Sequence, residues 1–506
     1  MLCGIAAHLL LVGALVLKAQ LFGALGFGEI AWKIHDRIDR NHPTLAGAGG
    51  IMLNVAGVSR AKSFAAQDLP DFPGPEKWPA QGVVAAGLDR QSYDRLGAPL
   101  QSPVGPGNPP ASQRRVVVSD SDTLIAAVRT ARTGDEIVIE PGTYRLAVRN
   151  IGLGAAGTAT KPIHLRARRF GEVLLELDSL EGFLVNKPYW VFENLRIRGA
   201  CRKDSQCEHA FHVVGDARGT VIRNNEIVDF NAALKVNVLR IRGVQRFPDL
   251  GLVQNNTVYN TRRRDTENPV ALLNINAANG WVVSANFIAD FGKGRGNKVS
   301  YGAYMKGNSE SGLFERNLIV CQWRVPVDRD TRVGLSFGGG GTGNRFCRDG
   351  DCRREHTGGV MRNNIIARCP TDVGVYLNRA THAQIHNNLL IGNKGIDIRF
   401  DTGSASIHNN IIDGDIRDRD GATHSADNNL TPSACNPISR LLGRCDPRRV
   451  YLAPLAGDFR LIDDSSIRDM GNHDVPGQRD FCGNTRTGRQ DLGPIEYGAE
   501  RNCLPR

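Results

Sequence analysis

The sequence predicts an all-β chain wound into a single-stranded parallel β-helix, and three observations carry that prediction. The first is a recurring unit: "VIRNNEIVDF", "LVQNNTVYNT", "VMRNNIIARC", "QIHNNLLIGN" and "SIHNNIIDGD" each set asparagine between two short apolar pairs. Aligned on that asparagine, the units fall at Asn194, Asn225, Asn256, Asn286, Asn317, Asn364, Asn388, Asn410 and Asn429. Steps of 19 to 47 residues are too short for separate domains and suit one turn of a coil made of short strands. The second is the apolar pattern, which alternates in twos, favours Val and Ile, and is broken by Gly or Asn where a helical solenoid would need to continue. The third is an aromatic content of 6%, low for a single conventional core in 506 residues.

Asparagine suits this place for a physical reason. It tolerates the left-handed backbone needed for a sharp turn, and its amide both donates and accepts. Stacked coils put these turns above one another, so the amides are expected to form an asparagine ladder that satisfies buried polar groups.

The elements follow in order along the chain. Residues 1–28 are an apolar run interrupted by Lys18, which reads as a signal peptide or a membrane anchor. The n-region lacks a charged side chain, whereas Lys33, Arg37 and Arg40 follow the apolar run. Residues 29–62 begin with "EIAWKIHDRIDR", apolar and charged at helical spacing, and read as an amphipathic juxtamembrane segment. Residues 63–115, with "LPDFPGPEKWP" and "PVGPGNPPAS", read as a Pro/Gly-rich linker. The β-helix is assigned to 116–430. It opens with a capping helix started by Ser or Asp near 119–122, carrying the stripe Leu124, Ala127, Val128 and Ala131 and stopping at Gly134. Ile137 and Ile139 then alternate as the first strand, closed by Pro141-Gly142. Residues 431–506 form a C-terminal closing segment expected to cap the stack.

Eleven cysteines include the close neighbours Cys201 with Cys207, Cys347 with Cys352, and Cys435 with Cys445. No paired CxxC knuckles are present, which argues against zinc and for loop-stapling disulfides in an oxidising compartment, hence export to the cell envelope or beyond. The net charge of +11 favours an acidic partner without selecting one.

Glycine-led strands register to show the working face: "GAYMKG" at 302, "GLSFGG" at 334, "GVYLNR" at 374 and "GIDIRF" at 395. Ala303 and Met305, Leu335 and Phe337, Val375 and Leu377, and Ile396 and Ile398 occupy the same two positions and are expected inside. The alternate positions then point out: Tyr304 and Lys306, Ser336 and Gly338, Tyr376 and Asn378, Asp397 and Arg399. Lys235 and Asn237, then Asn274 and Asn276, extend the row backwards. Amides and tyrosines suit sugar hydroxyls, and Lys and Arg suit carboxylates. With rungs about 4.8 Å apart, Arg399 lies roughly 14 Å from Lys306, so Arg399 and Asp397 are assigned to binding further along.

The asparagine turns, the opening "TLIAAVRTARTGDEIVIEPGTYR" and "GTATKPIHLRA" at 157–167 resemble right-handed parallel β-helix proteins of the pectate-lyase-like superfamily, of chondroitinase B and alginate lyase type, over residues 116–497. The resemblance implies a right-handed coil, a polysaccharide groove on the glycine-led sheet, and cleavage of a uronate polymer by β-elimination. "YMKGNSESGLFERN" resembles the stretch carrying the family's lysine base. That implies Lys306 as catalytic base with Tyr304 as candidate acid, and Lys235, Asn237, Asn274, Asn276, Ser336, Tyr376, Asn378, Arg379, Asp397 and Arg399 as substrate-binding residues. Calcium-dependent relatives carry acidic ligands shortly before the lysine, but "GNKVSYGAYM" has no carboxylate, so no metal ligand is assigned and calcium is left open as a cofactor without its expected ligands. The family's arginine on the next rung is missing from "GLSFGGGGTG", leaving Arg332 or Arg379 to reach in from a turn.

Other motifs weigh less. "GGGGTG" lacks the context of a nucleotide loop. His382, His386 and His408 lie near turns without zinc spacing, and paired hydrolytic aspartates are not evident, Asp463-Asp464 falling in the closing segment. The expected partner is an anionic polysaccharide rather than nucleic acid, bound by a monomer, with N-terminal membrane attachment left open. Two alternatives remain: a uronate C5-epimerase and a non-catalytic envelope glycan-binding protein.

Overall fold

The computed structural model describes residues 69–78, 114–432, 446–462, 467–472, 479–486, 488–499 and 503–504. The N-terminal segments at 1–28 and 29–62, most of the linker, and Cys3, Cys435, Cys445, Asp463 and Asp464 lie outside them. Among the described residues no helix is long and apolar enough to cross a membrane.

Each coil gives one strand in turn to three long sheets of twelve, ten and eight strands. One such coil runs Val221–Arg223, Glu226–Val228 and Ala232–Asn237. Neighbouring coils pair in parallel at every step within these three sheets, which is the β-helix the sequence predicts. The interior is one continuous apolar column including Val236, Ile275, Met305, Phe337, Leu377 and Ile398.

The ladder is continuous. From Asn225 each Nδ2 donates to the next Oδ1, through Asn256, Asn286, Asn317, Asn364, Asn388 and Asn410 to Asn429, at 2.9–3.1 Å. The same oxygens accept the ladder residues' backbone N–H groups, as Asn286 Oδ1 does from Asn256. Asn194 departs from the expectation. It pairs with Asn224, and Leu195 takes the ladder position, its N–H donating to Asn225 Oδ1 at 3.0 Å. The left-handed turn is also not the ladder residue's own. It belongs to the residue before: Asn224, Asn255, Asn363, Asn387, Asn409 and Asn428, but also Ala285 and Arg316, have φ between 51° and 57°. The first residue of each pair therefore makes the turn and the second makes the ladder, so Ala285 and Arg316 interrupt only the local backbone preference.

A strand, Arg114–Val118, precedes the capping helix and starts the twelve-stranded sheet, so the body begins slightly before 116. The helix spans Ser121–Arg129, ending earlier than Gly134, and is closed by an Asp120–Thr123 capping box. Leu124 and Val128 are buried against the first coils.

The later strands of the ten-stranded sheet, from Phe287–Ala289 onward, are apolar on both faces, and this explains the closing segment. Leu318, Val320, Ile365, Leu389 and Ile391 point outward and are covered by Tyr451, Phe459, Ile467, Phe481 and Ile495. The C-terminal segment thus packs along the flank of the stack instead of sitting only on its last coil. Within the span read as linker, 69–78 packs there too: Phe72 stacks on Trp78 at 5.9 Å, and Trp323 Nε1 donates to Phe72 O at 3.1 Å. Trp78 is 1% exposed. Disulfides join Cys201–Cys207 and Cys347–Cys352 as neighbours, and Cys321–Cys369 and Cys482–Cys503 across longer separations.

Candidate functional site

The eight-stranded sheet includes the strands His209–Val214, Ala232–Asn237, Val270–Asn276, Val299–Lys306, Thr331–Phe337, Val375–Asn378, Gly395–Arg399 and Asp415–Arg419. Its register builds two outward rows. One runs His212, Lys235, Asn274, Tyr304, Ser336, Tyr376, Asp397, Arg417. The other pairs Asn276 with Lys306, and further on Asn378 with Arg399 and Arg419. The alternating partners Ala303, Met305, Leu335 and Phe337 are 0% exposed.

The centre of this face is a connected polar line over three rungs. Lys235 Nζ donates to Asn274 Oδ1 at 2.9 Å. Tyr304 follows Asn274 as its register partner on the next strand, and Lys306 Nζ stands 4.9 Å from the centre of the Tyr304 ring. Burial disfavours charge at both amines. Lys235 falls from 10.5 to about 7, through desolvation first and then repulsion from Lys306, with Glu208 opposing. Lys306 is lowered by desolvation, with Glu355 opposing. Burial raises the Tyr304 hydroxyl, keeping it protonated. Both lysines keep part of their surface open.

The glycine run folds over this centre. Lys306 Nζ donates to Gly340 O at 3.1 Å, and a Cβ on Gly339 would lie 3.4 Å from Lys306 Cδ. At Gly338, φ is +75° and a Cβ would meet Asn378 O at 1.9 Å, so a side chain there is incompatible with the turn. Glu355 anchors the loop: its Oε2 accepts from Gly307 N at 2.9 Å and Thr342 Oγ1 at 3.2 Å.

The remaining expected residues divide. Asn237 Nδ2 meets His212 Nε2 at 3.2 Å, and Asn378 Nδ2 donates to Tyr376 Oη at 2.8 Å. Asn276 and Asn378 each keep a buried Oδ1 without a partner. Ser336 is 0% exposed and spends its hydroxyl on Gly338 O and Tyr376 O, so it shapes the floor and is not presented to a ligand. Asp397 is buried between Arg417 and Arg419, which makes it a counter-ion for the cations at that end. Arg379 and Arg399 lie over the Phe400 ring at 4.6 and 4.7 Å. Arg332 does not reach the groove: wholly buried, it pairs with Asp330 and donates to Cys321 O and Val325 O.

Sequence reasoning missed Glu355, Glu208, His209 and His212. Continuing the alternation one coil earlier reaches His212 beside Lys235, and its ring bonds Glu181 at 3.1 Å. His209 lies 5.2 Å from His212, and burial lowers its pKa to about 3. Glu355 comes from a loop and carries no periodic signal.

No protein-family model matches the chain, and no curated protein does. Solved structures similar to it include pectate lyase Pel9A, with 14% identity, TM-score 0.46, and coverage of 78% of this chain and 97% of that one. An alginate lyase from Paenibacillus sp. str. FPU-7 has 16% identity and TM-score 0.35, covering 63% and 96%. The PL6 family polysaccharide lyase Pedsa3628 from Pseudopedobacter saltans has 14% identity and TM-score 0.36, covering 64% and 94%. The fold assignment rests on the strand order and register of the chain itself.

Proposed function

We propose that the protein is an exported lyase that cuts a uronate-containing polysaccharide by β-elimination in the groove of the eight-stranded sheet. The observation that carries this reading is Lys306, a desolvated amine held by the Gly340 carbonyl beside Tyr304 on a face of amides, tyrosines and arginines. Neutral Lys306 removes the proton beside the uronate carboxylate, and the electron pair forms a double bond as the glycosidic C–O bond breaks. The leaving oxygen takes the Tyr304 proton, which its raised pKa holds in place until that moment. Arg399, Arg379, Asn237, Asn276, Asn378 and Tyr376 hold the chain on either side. The four disulfides among the described residues support an oxidising compartment.

The test is incubation with alginate, chondroitin, pectate and bacterial exopolysaccharides while following ultraviolet absorbance from unsaturated uronate ends. Activity on one of them, lost in Lys306→Ala, is expected. Changed uronate composition without chain shortening would point to epimerisation. Retention of polymer with neither change would point to a binding protein.

A further inference from the structure

Removing a proton beside a carboxylate requires that the carboxylate's charge be neutralised, and calcium is one way to do it. The donors here do not fit calcium, which takes six to eight oxygens. Asn274 Oδ1 receives Lys235, Glu355 Oε2 receives Gly307 and Thr342, and Glu208 Oε1 receives the amides of Asn231 and Asn268. Among the described residues, the only group of three or more His, Cys, Asp or Glu side chains placed to share an ion is Cys347, Asp349 and Cys352, and its two cysteines are bonded to each other.

A cation of the chain's own stands there instead. Lys235 is two rungs from Lys306 on the same face, largely desolvated, and among the described residues has no carboxylate at ion-pair distance. Two amines sunk in one surface, with Glu208 and Glu355 favouring their charge only from beyond ion-pair distance, are costly to protonate, and an anionic ligand relieves that cost. Resting on the lyase reading, we propose that Lys235, held protonated by the bound uronate carboxylate, neutralises that carboxylate, so that this step needs no divalent cation.

The test separates the two claims. Calorimetry with inactive Lys306→Ala, in chelator, compares an oligouronate with its methyl ester. The expected result is at least about tenfold tighter binding of the free acid, collapsing to about twofold or less when Lys235→Met is added, while the ester still binds. Lys235→Arg keeps the preference and serves as the folded control. The inference is overturned if the preference survives Lys235→Met, or arises only with added calcium; wild-type cleavage that needs calcium would overturn it while leaving the lyase reading intact. Failure of every uronate polymer to bind would instead remove the lyase reading itself.

Discussion

Replacing Asn317 by alanine should destabilise the stack far more than the same change at the ladder's end. Asn317 is wholly buried. Its Nδ2 donates to Val283 O and Asn364 Oδ1, both at 2.9 Å, and its Oδ1 accepts from Asn286 N at 3.1 Å and Asn286 Nδ2 at 2.9 Å. Asn286 Nδ2 retains Val253 O and Ser284 O, but the Asn286 N–H loses its side-chain acceptor. A buried orphaned donor costs about 1–3 kcal/mol and each further lost bond about 1 kcal/mol, so the total is roughly 3–5 kcal/mol. At Asn429, which is half-exposed, water replaces the lost partners and the cost is about 1 kcal/mol or less. Urea denaturation of the oxidised protein, with midpoints compared at unchanged slope, measures the difference. Equal midpoints for Asn317→Ala and Asn429→Ala would refute the ladder as a source of stability.

Three further outcomes are expected. Lys306→Ala should lower kcat about 10²- to 10⁴-fold with folding intact, and the wild-type rate should rise with pH through a value below lysine's usual 10.5, since the base acts when neutral. Between about 7 and 10.5 the unfolded chain binds more protons at Lys235 than the folded one, so stability should rise with pH there and be lost as pH falls through about 7; thermal unfolding across that range should show a flatter rise in Lys235→Met. Cys321–Cys369 closes a separation of 48 residues between successive coils, so replacing both by serine should cost about 4 kcal/mol in the same urea assay.

The fold was legible because a coil repeats its physics. Period-two alternation set inside from outside, so Tyr304 and Tyr376 could be aligned from glycine-led strands, and Lys235 and Asn274 added from the same alternation in earlier coils. The asparagine pair was legible as a turn, but periodicity cannot say which member turns and which bonds, and Asn194 was misplaced by one residue for that reason. Covering segments carried no period: 69–78 reads as linker by its prolines, yet its aromatics bury against an apolar outer face visible only in three dimensions. Ser336 and Asp397 show the same limit at the site. Their outward register was readable, whereas their engagement by Tyr376 O and by Arg417 and Arg419 depends on the neighbouring rungs.

Mass spectrometry of the products from a cleaved uronate polymer tests the central claim most directly. Eliminative scission at Lys306 predicts oligosaccharides one water lighter at their new non-reducing ends, formed by the wild type and not by Lys306→Ala. Products of full hydrolytic mass, or eliminative products undiminished in Lys306→Ala, would contradict it.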